Sequence, residues 1–234
     1  MNLLPPQALV KTGPVDHADW NFRPGLGSIQ RLRFKLIASL LPKERCHRLL
    51  EIGYGSGVFM PELARCCEEL YGIDVHQEHE RVREVLERYG CQAQLVAGDA
   101  ATMPFPDEYF DCIVAVSSME FIGDLDAACR EIQRVLRPTG CCIVVTPGHS
   151  AVVDLGLKIL TGESARQDYG DRRSKVLSTL QRHFMICRQQ TAPRWGGSLL
   201  RLYTAVKLEA GIRGQGSGIR EIQHLGPRLL NPGP

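Results

Sequence analysis

Between residues 47 and 147 the chain alternates short apolar runs with stretches whose apolar residues recur at helical spacing. This alternation restricts the fold more than any other feature. "HRLLEI" (47–52), "ELYGIDV" (69–75), "CQAQLVAGD" (91–99), "DCIVAVSS" (111–118) and "CCIVVTP" (141–147) read as strands. Helices are expected at 58–67, 78–90 and 124–136, the last two on the stripes Val82, Val85, Leu86, Tyr89 and Leu125, Ala128, Ile132, Val135. Pro61 falls in the first turn of its helix, where backbone N–H groups lack partners anyway. "RPTG" (137–140) reads as a turn, and residues 100–109 as more loop than helix. Strands joined this way form a parallel sheet covered on both faces.

A helix is expected ahead of this core from Ser28, with Ile29, Leu32, Leu36 and Leu40 on one side and Pro42 ending it. Beyond it, helices are expected at Val152–Leu160 and Ser174–His183, then two strands, "FMICRQQT" (184–191) and "LLRLYTAVKLE" (199–209). The short join between those strands implies a hairpin, so the last strand runs antiparallel to its neighbour. The fold class is therefore α/β: a doubly wound, mostly parallel seven-stranded sheet with an antiparallel last strand. Residues 1–27 read as an irregular arm and possible lid, 28–209 as the folded domain, and the Gly- and Pro-rich 210–234 as a disordered tail.

In such a sheet, ligands bind beyond the carboxyl ends of the strands. There the chain reads "LLEIGYGSG": Glu51, then Gly53, Tyr54, Gly55 and Gly57. A dinucleotide fingerprint starting at Gly53 needs glycine at 58, where Val58 stands, and a P-loop needs a following lysine, which is missing. That counts against a nicotinamide oxidoreductase. Acidic residues also end the next two strands, Asp74 in "YGIDV" and Asp99 in "GDA". Taken singly, Asp74 fits a helix cap and Asp99 a turn residue. The series of acids and glycines at successive strand ends is harder to explain by local structure alone.

The Glu-x-Gly-x-Gly-x-Gly turn resembles motif I of the class I S-adenosylmethionine-dependent methyltransferases. Its wording is closest to the methyltransferase type 11 group, over about Arg48 to Thr146 plus the final strand pair. The resemblance implies a Rossmann-like methyltransferase fold with S-adenosyl-L-methionine as cofactor. Glycines would admit its amino acid and ribose portions. The helix N-terminus behind them would favour the methionyl carboxylate, and Glu51 would take the ammonium. Asp74 would accept from the ribose hydroxyls, Val75 would lie on the adenine face, and Asp99 with the Ala100 N–H would meet the adenine edge. Ser117, at the end of the fourth strand, would touch the methionyl portion through its backbone. No obligatory catalytic residue is implied, because the sulfonium already activates the methyl group. Trp20 and Phe22 fit either a lid or plain packing of the arm. His149, Glu120, Tyr169 and the Arg172–Arg173 pair lie where they could face a substrate or simply solvent.

A net charge of +2 gives no electrostatic case for nucleic acid, and the fourth strand lacks the Asn/Asp-Pro-Pro-Tyr/Phe signature of nucleic acid amino-methylating enzymes. A small-molecule methyl acceptor is the expected partner, with a non-catalytic cofactor-binding module of the same fold as the alternative. No run of 18 apolar residues suggests a membrane span, and no secretory signal is read at the N-terminus. Nine cysteines include no CxxC pair, which disfavours a metal site and points to buried thiols in a reducing cytoplasm.

Overall fold

The computed structural model describes residues 1–14, 16–148, 172–193 and 201–209. Seven strands form one sheet: β1 (Cys46–Ile52), β2 (Cys67–Asp74), β3 (Gln94–Ala97), β4 (Phe110–Val116), β5 (Leu136–Pro147), β6 (Met185–Ala192) and β7 (Tyr203–Glu209). Their order is β3-β2-β1-β4-β5-β7-β6. The first five are parallel, and β7 is antiparallel to both β5 and β6. Strand order reverses between β1 and β4, which opens a crevice over their carboxyl ends.

The central strands are buried on both faces, so their side chains divide between two cores. Leu49, Val114, Ile143 and Val145 face one core; Leu50, Ile113, Val144 and Val206 face the other. Helices α1 (Leu26–Gln30), α2 (Leu32–Leu40), α3 (Met60–Leu63) and α4 (His79–Arg88) contribute to the first core. Helices α5 (Leu125–Val135) and α6 (Arg172–His183) cover the second through Ala128, Ile132, Val135, Val176 and Leu180. Asp124 caps α5 by accepting from the Ala127 N–H at 2.9 Å.

Several boundaries differ from the sequence reading. The helix expected from Ser28 begins at Leu26 and breaks at Arg31 into α1 and α2. The helix expected at 58–67 shrinks to four residues and a 3-10 turn at Ala64–Cys66, and Cys67 opens β2 rather than closing a helix. "RPTG" is not a separate turn. It is an irregularity inside β5, where pairing jumps from Phe110–Leu136 to Cys112–Cys141. On β7, Tyr203 and Ala205 on one face and Val206 and Leu208 on the other are all buried, because both sides of the sheet are covered.

The arm is folded onto the domain. Leu4 is buried and its N–H donates to the Val58 carbonyl at 3.1 Å. Asp16 organises the following bend, accepting from the Thr12 hydroxyl at 2.9 Å and the Ala18 N–H at 3.1 Å. A 3-10 turn at Ala18–Phe22 then packs on α1 so closely that a Cβ at Gly27 would lie 2.4 Å from the Asn21 carbonyl oxygen. The helix expected at Val152–Leu160 and the tail 210–234 lie outside the described residues.

Candidate cofactor site

A cavity of about 480 Å³ lies over the carboxyl ends of β1 to β4, roofed by the arm and by α1 and α2. Nine of the ten sequence-predicted residues line it: Glu51, Gly53, Tyr54, Gly55, Asp74, Val75, Asp99, Ala100 and Ser117. Gly57 does not. Its φ is +71°, and a Cβ there would sit 3.1 Å from Val82 Cγ1, so its smallness serves the packing of the turn on α4.

The other two glycines also have local reasons. Gly53 has a φ of +73°, and a Cβ would fall 2.3 Å from Ser118 Cβ. Ser118 is fixed there because its hydroxyl donates to the Ile52 carbonyl at 2.6 Å, tying the end of β4 to β1. Gly55 differs: its φ is +51°, yet a Cβ would approach nothing closer than 3.9 Å. Of the three, only Gly55 leaves open space for a ligand.

The Gly55 peptide is held on both sides. Its N–H donates to Asp74 Oδ2 at 2.8 Å, and its carbonyl lies 3.1 Å from His76 Nε2. Asp74 keeps lone pairs for further donors. Asp99 accepts from the Ala101 N–H at 2.8 Å through one oxygen, which is the local turn role, and its second oxygen is left over. Val75 is 69% exposed, a large apolar side chain standing at the cavity. Ser117 takes a φ of +53°, rare without glycine, while its N–H donates to the Val145 carbonyl at 2.8 Å.

Glu51 is 3% exposed, and its Oε2 has no hydrogen-bond partner among the described residues. Burial first, and the nearby Asp74 charge second, push its carboxyl up to about 8, against the pull of Arg33. The same two causes raise the Tyr54 phenol. Among the described residues the wall carries four carboxyl groups, Asp16, Glu51, Asp74 and Asp99, and a single Lys or Arg, Arg33. Arg33 was not singled out in the sequence. Its Nε is buried with no partner among the described residues, and its guanidinium lies over Phe34.

The short α3 corrects one expectation. A four-residue helix sums few peptide dipoles, so it offers no N-terminal anion site behind the glycines. Trp20, read as either lid or packing, lines the cavity, and His17, His76, Phe121 and Ile122, which fall outside the sequence reading, line it too; His17 stacks on Trp20 at 4.1 Å. Phe22 is half-buried and packs against the core instead. Glu120 is fully buried and is neither solvated nor part of the cavity wall. Arg172 opens α6 rather than lying in a loop, and His149 and Tyr169 lie outside the described residues.

Residues 50–144, from the middle of β1 to the middle of β5, match a family model described as a methyltransferase domain, type 11. Over those residues the chain is similar to the class I methyltransferases of the type 11 group. The chain is 38% identical over 114 residues to a demethylmenaquinone methyltransferase of Roseiflexus castenholzii, covering 47% of this chain and 48% of that one. The chain thus spans about half the length of that curated relative. Among solved structures, a SAM-dependent methyltransferase from Aquifex aeolicus superposes with a TM-score of 0.61 at 15% identity, over 83% of this chain and 98% of that one. The [4+2]-cyclase SpnF superposes with a TM-score of 0.59 at 20% identity, over 77% and 80%. These likenesses show a Rossmann-like fold of the kind methyltransferases use. Among the described residues no group of His, Cys, Asp or Glu is arranged to hold a metal ion, and no helix is long and apolar enough to cross a membrane.

Proposed function

We propose that the protein transfers a methyl group from S-adenosyl-L-methionine to a small-molecule acceptor. The observation that carries this reading is the charge pattern of the cavity. Among the described residues, three carboxylates and the Glu51 carboxyl, which an ammonium would draw into its ionised form, against one guanidinium suit a ligand with ammonium and sulfonium charges and oppose a pyrophosphate. Glu51, buried with an unpartnered oxygen, takes the ammonium of the methionyl group. Arg33 replaces the expected helix N-terminus as counter-charge for the methionyl carboxylate. Gly55 gives the ligand close access to the backbone, Asp74 accepts from the ribose hydroxyls, and Val75 lies on one adenine face. Asp99 and the Ala100 N–H serve the adenine edge, and Ser117 presents main chain to the methionyl portion.

When bound, the cofactor supplies an electrophilic methyl group, so the chain's task is to hold the acceptor in line and keep water out. Trp20, His17, Phe121 and Ile122 also line the cavity and offer ring and apolar surface to an acceptor, with the arm as its cover. The relative's demethylmenaquinone acceptor supports a quinone-like or other small ring compound. The nine free thiols fit a reducing compartment, the cytoplasm, and nothing in the cavity favours nucleic acid. A second reading, a cofactor-holding protein that does not transfer methyl, is supported by the cyclase that shares the fold.

Calorimetry with S-adenosylmethionine, S-adenosylhomocysteine and NADH tests the cofactor. Binding of NADH alone would overturn the reading. Radiolabelled methyl transfer, screened against a metabolite extract and against RNA, then tests the activity. Label in RNA alone refutes the small-molecule acceptor, and tight cofactor binding with no labelled product favours the second reading.

A further inference from the structure

Two residues past Asp74, His76 sits with its side chain only 7% exposed, between the glycine turn and the start of α4. Its hydrogen bonds fix its tautomer. The Glu78 N–H donates to Nδ1 at 3.1 Å, so Nδ1 is an acceptor and the ring proton sits on Nε2. That Nε2–H points at the Gly55 carbonyl, 3.1 Å away. The ring stands edge-on to Tyr54, with centroids 4.9 Å apart. Gly55 is therefore gripped through both its polar groups by residues flanking Val75: its N–H by Asp74 and its carbonyl by His76. The His76 backbone N–H in turn donates to Asp74 Oδ1 at 3.4 Å. Gly55 has no side chain to anchor it and space around its Cα; the turn is closed by the Gly57 N–H donating to the Tyr54 carbonyl at 2.8 Å, and the polar groups of the Gly55 peptide itself are held by Asp74 and His76.

We propose that His76 is a positioning residue: it locks the Gly55 peptide so that the Asp74 carboxylate is aimed into the cavity before ligand arrives. The proposal rests on the cofactor reading above and deepens it. His76 need not touch the cofactor; it acts through Asp74. Removing the ring frees the Gly55 carbonyl, lets the turn rotate, and leaves Asp74 to be ordered at the expense of binding.

The test is calorimetric titration of S-adenosylhomocysteine into the full chain and its His76→Ala, His76→Gln, His76→Asn, Asp74→Ala and doubly substituted variants, with melting of each ligand-free variant alongside. His76→Ala is expected to bind about 10- to 30-fold more weakly. His76→Gln, whose amide reaches the Nε2 position, is expected within about threefold of the parent, and His76→Asn, which is too short, close to His76→Ala. The doubly substituted chain should bind no more weakly than Asp74→Ala alone. An equal loss from His76→Ala with and without Asp74, or no rescue by His76→Gln, overturns the proposal and leaves His76 as ordinary packing. Unchanged affinity in a folded His76→Ala or His76→Asn does the same. Failure of the parent chain to bind S-adenosylhomocysteine is a different result: it refutes the cofactor reading itself.

Discussion

Replacing Glu51 with glutamine should make the ligand-free protein more stable at high pH while weakening its hold on cofactor. The Glu51 carboxyl rises from an ordinary 4.5 to about 8 on folding, because it is buried and faces Asp74. The folded state thus holds the proton more tightly than the unfolded chain. Stability from this source is fully present below about pH 4.5 and is lost as pH climbs through about 8. At about 1.4 kcal/mol per unit the loss is bounded near 5 kcal/mol, and relaxation with water entry leaves about 2 kcal/mol. Glutamine keeps the shape without the charge. For a domain of this size the gain in Tm over the parent should be about 4–8 °C at pH 9 and close to zero at pH 5. Differential scanning calorimetry across that range reads it directly. Ligand binding supplies the complementary measurement. An ammonium beside Glu51 favours the carboxylate, so at pH 6.5 the parent should release a proton on binding S-adenosylhomocysteine. Titrations in buffers of different ionisation enthalpy detect that release, and Glu51→Gln should lack it and bind more weakly. Parallel Tm profiles for parent and variant, or equal proton release, would refute the reasoning.

Other substitutions separate the roles within the turn. Gly53→Ala meets Ser118 Cβ at 2.3 Å in a left-handed backbone and should cost about 2–4 kcal/mol in chemical denaturation. Gly55→Ala has space around it and should cost only about 1 kcal/mol, from its φ, while lowering cofactor affinity. Asp74→Ala should weaken S-adenosylhomocysteine by about 1–3 kcal/mol in calorimetry, through loss of hydrogen bonds to the ribose. Arg33→Met should weaken S-adenosylhomocysteine by about 1–3 kcal/mol yet leave 5′-methylthioadenosine, which has no carboxylate, unchanged. Equal losses for the two ligands would remove Arg33 from the carboxylate.

The sheet was legible in the sequence because its cause is local: strands buried on both faces must be short apolar runs, and crossover helices must carry one apolar stripe. β1, β2, β4 and α5 fall within two residues of their expected positions for that reason. Glu51, Asp74 and Asp99 were legible because strand ends place them on one rim whatever the details of packing. The extent of α3 was not legible, since the glycine turn and the early start of β2 consume residues that helical spacing would accept. Nor was the meaning of each glycine. Gly53 is forced by Ser118, 65 residues away, and Gly57 by α4, whereas Gly55 alone faces open space.

The sequence by itself determined a parallel sheet with an acidic, glycine-lined rim, because those features follow from periodicity and strand direction. Only the tertiary structure decided that the arm roofs that rim, that Arg33 is its one guanidinium among the described residues, and that His76 grips Gly55. Those contacts join residues distant in sequence through side-chain direction and close approach, quantities that no local pattern carries.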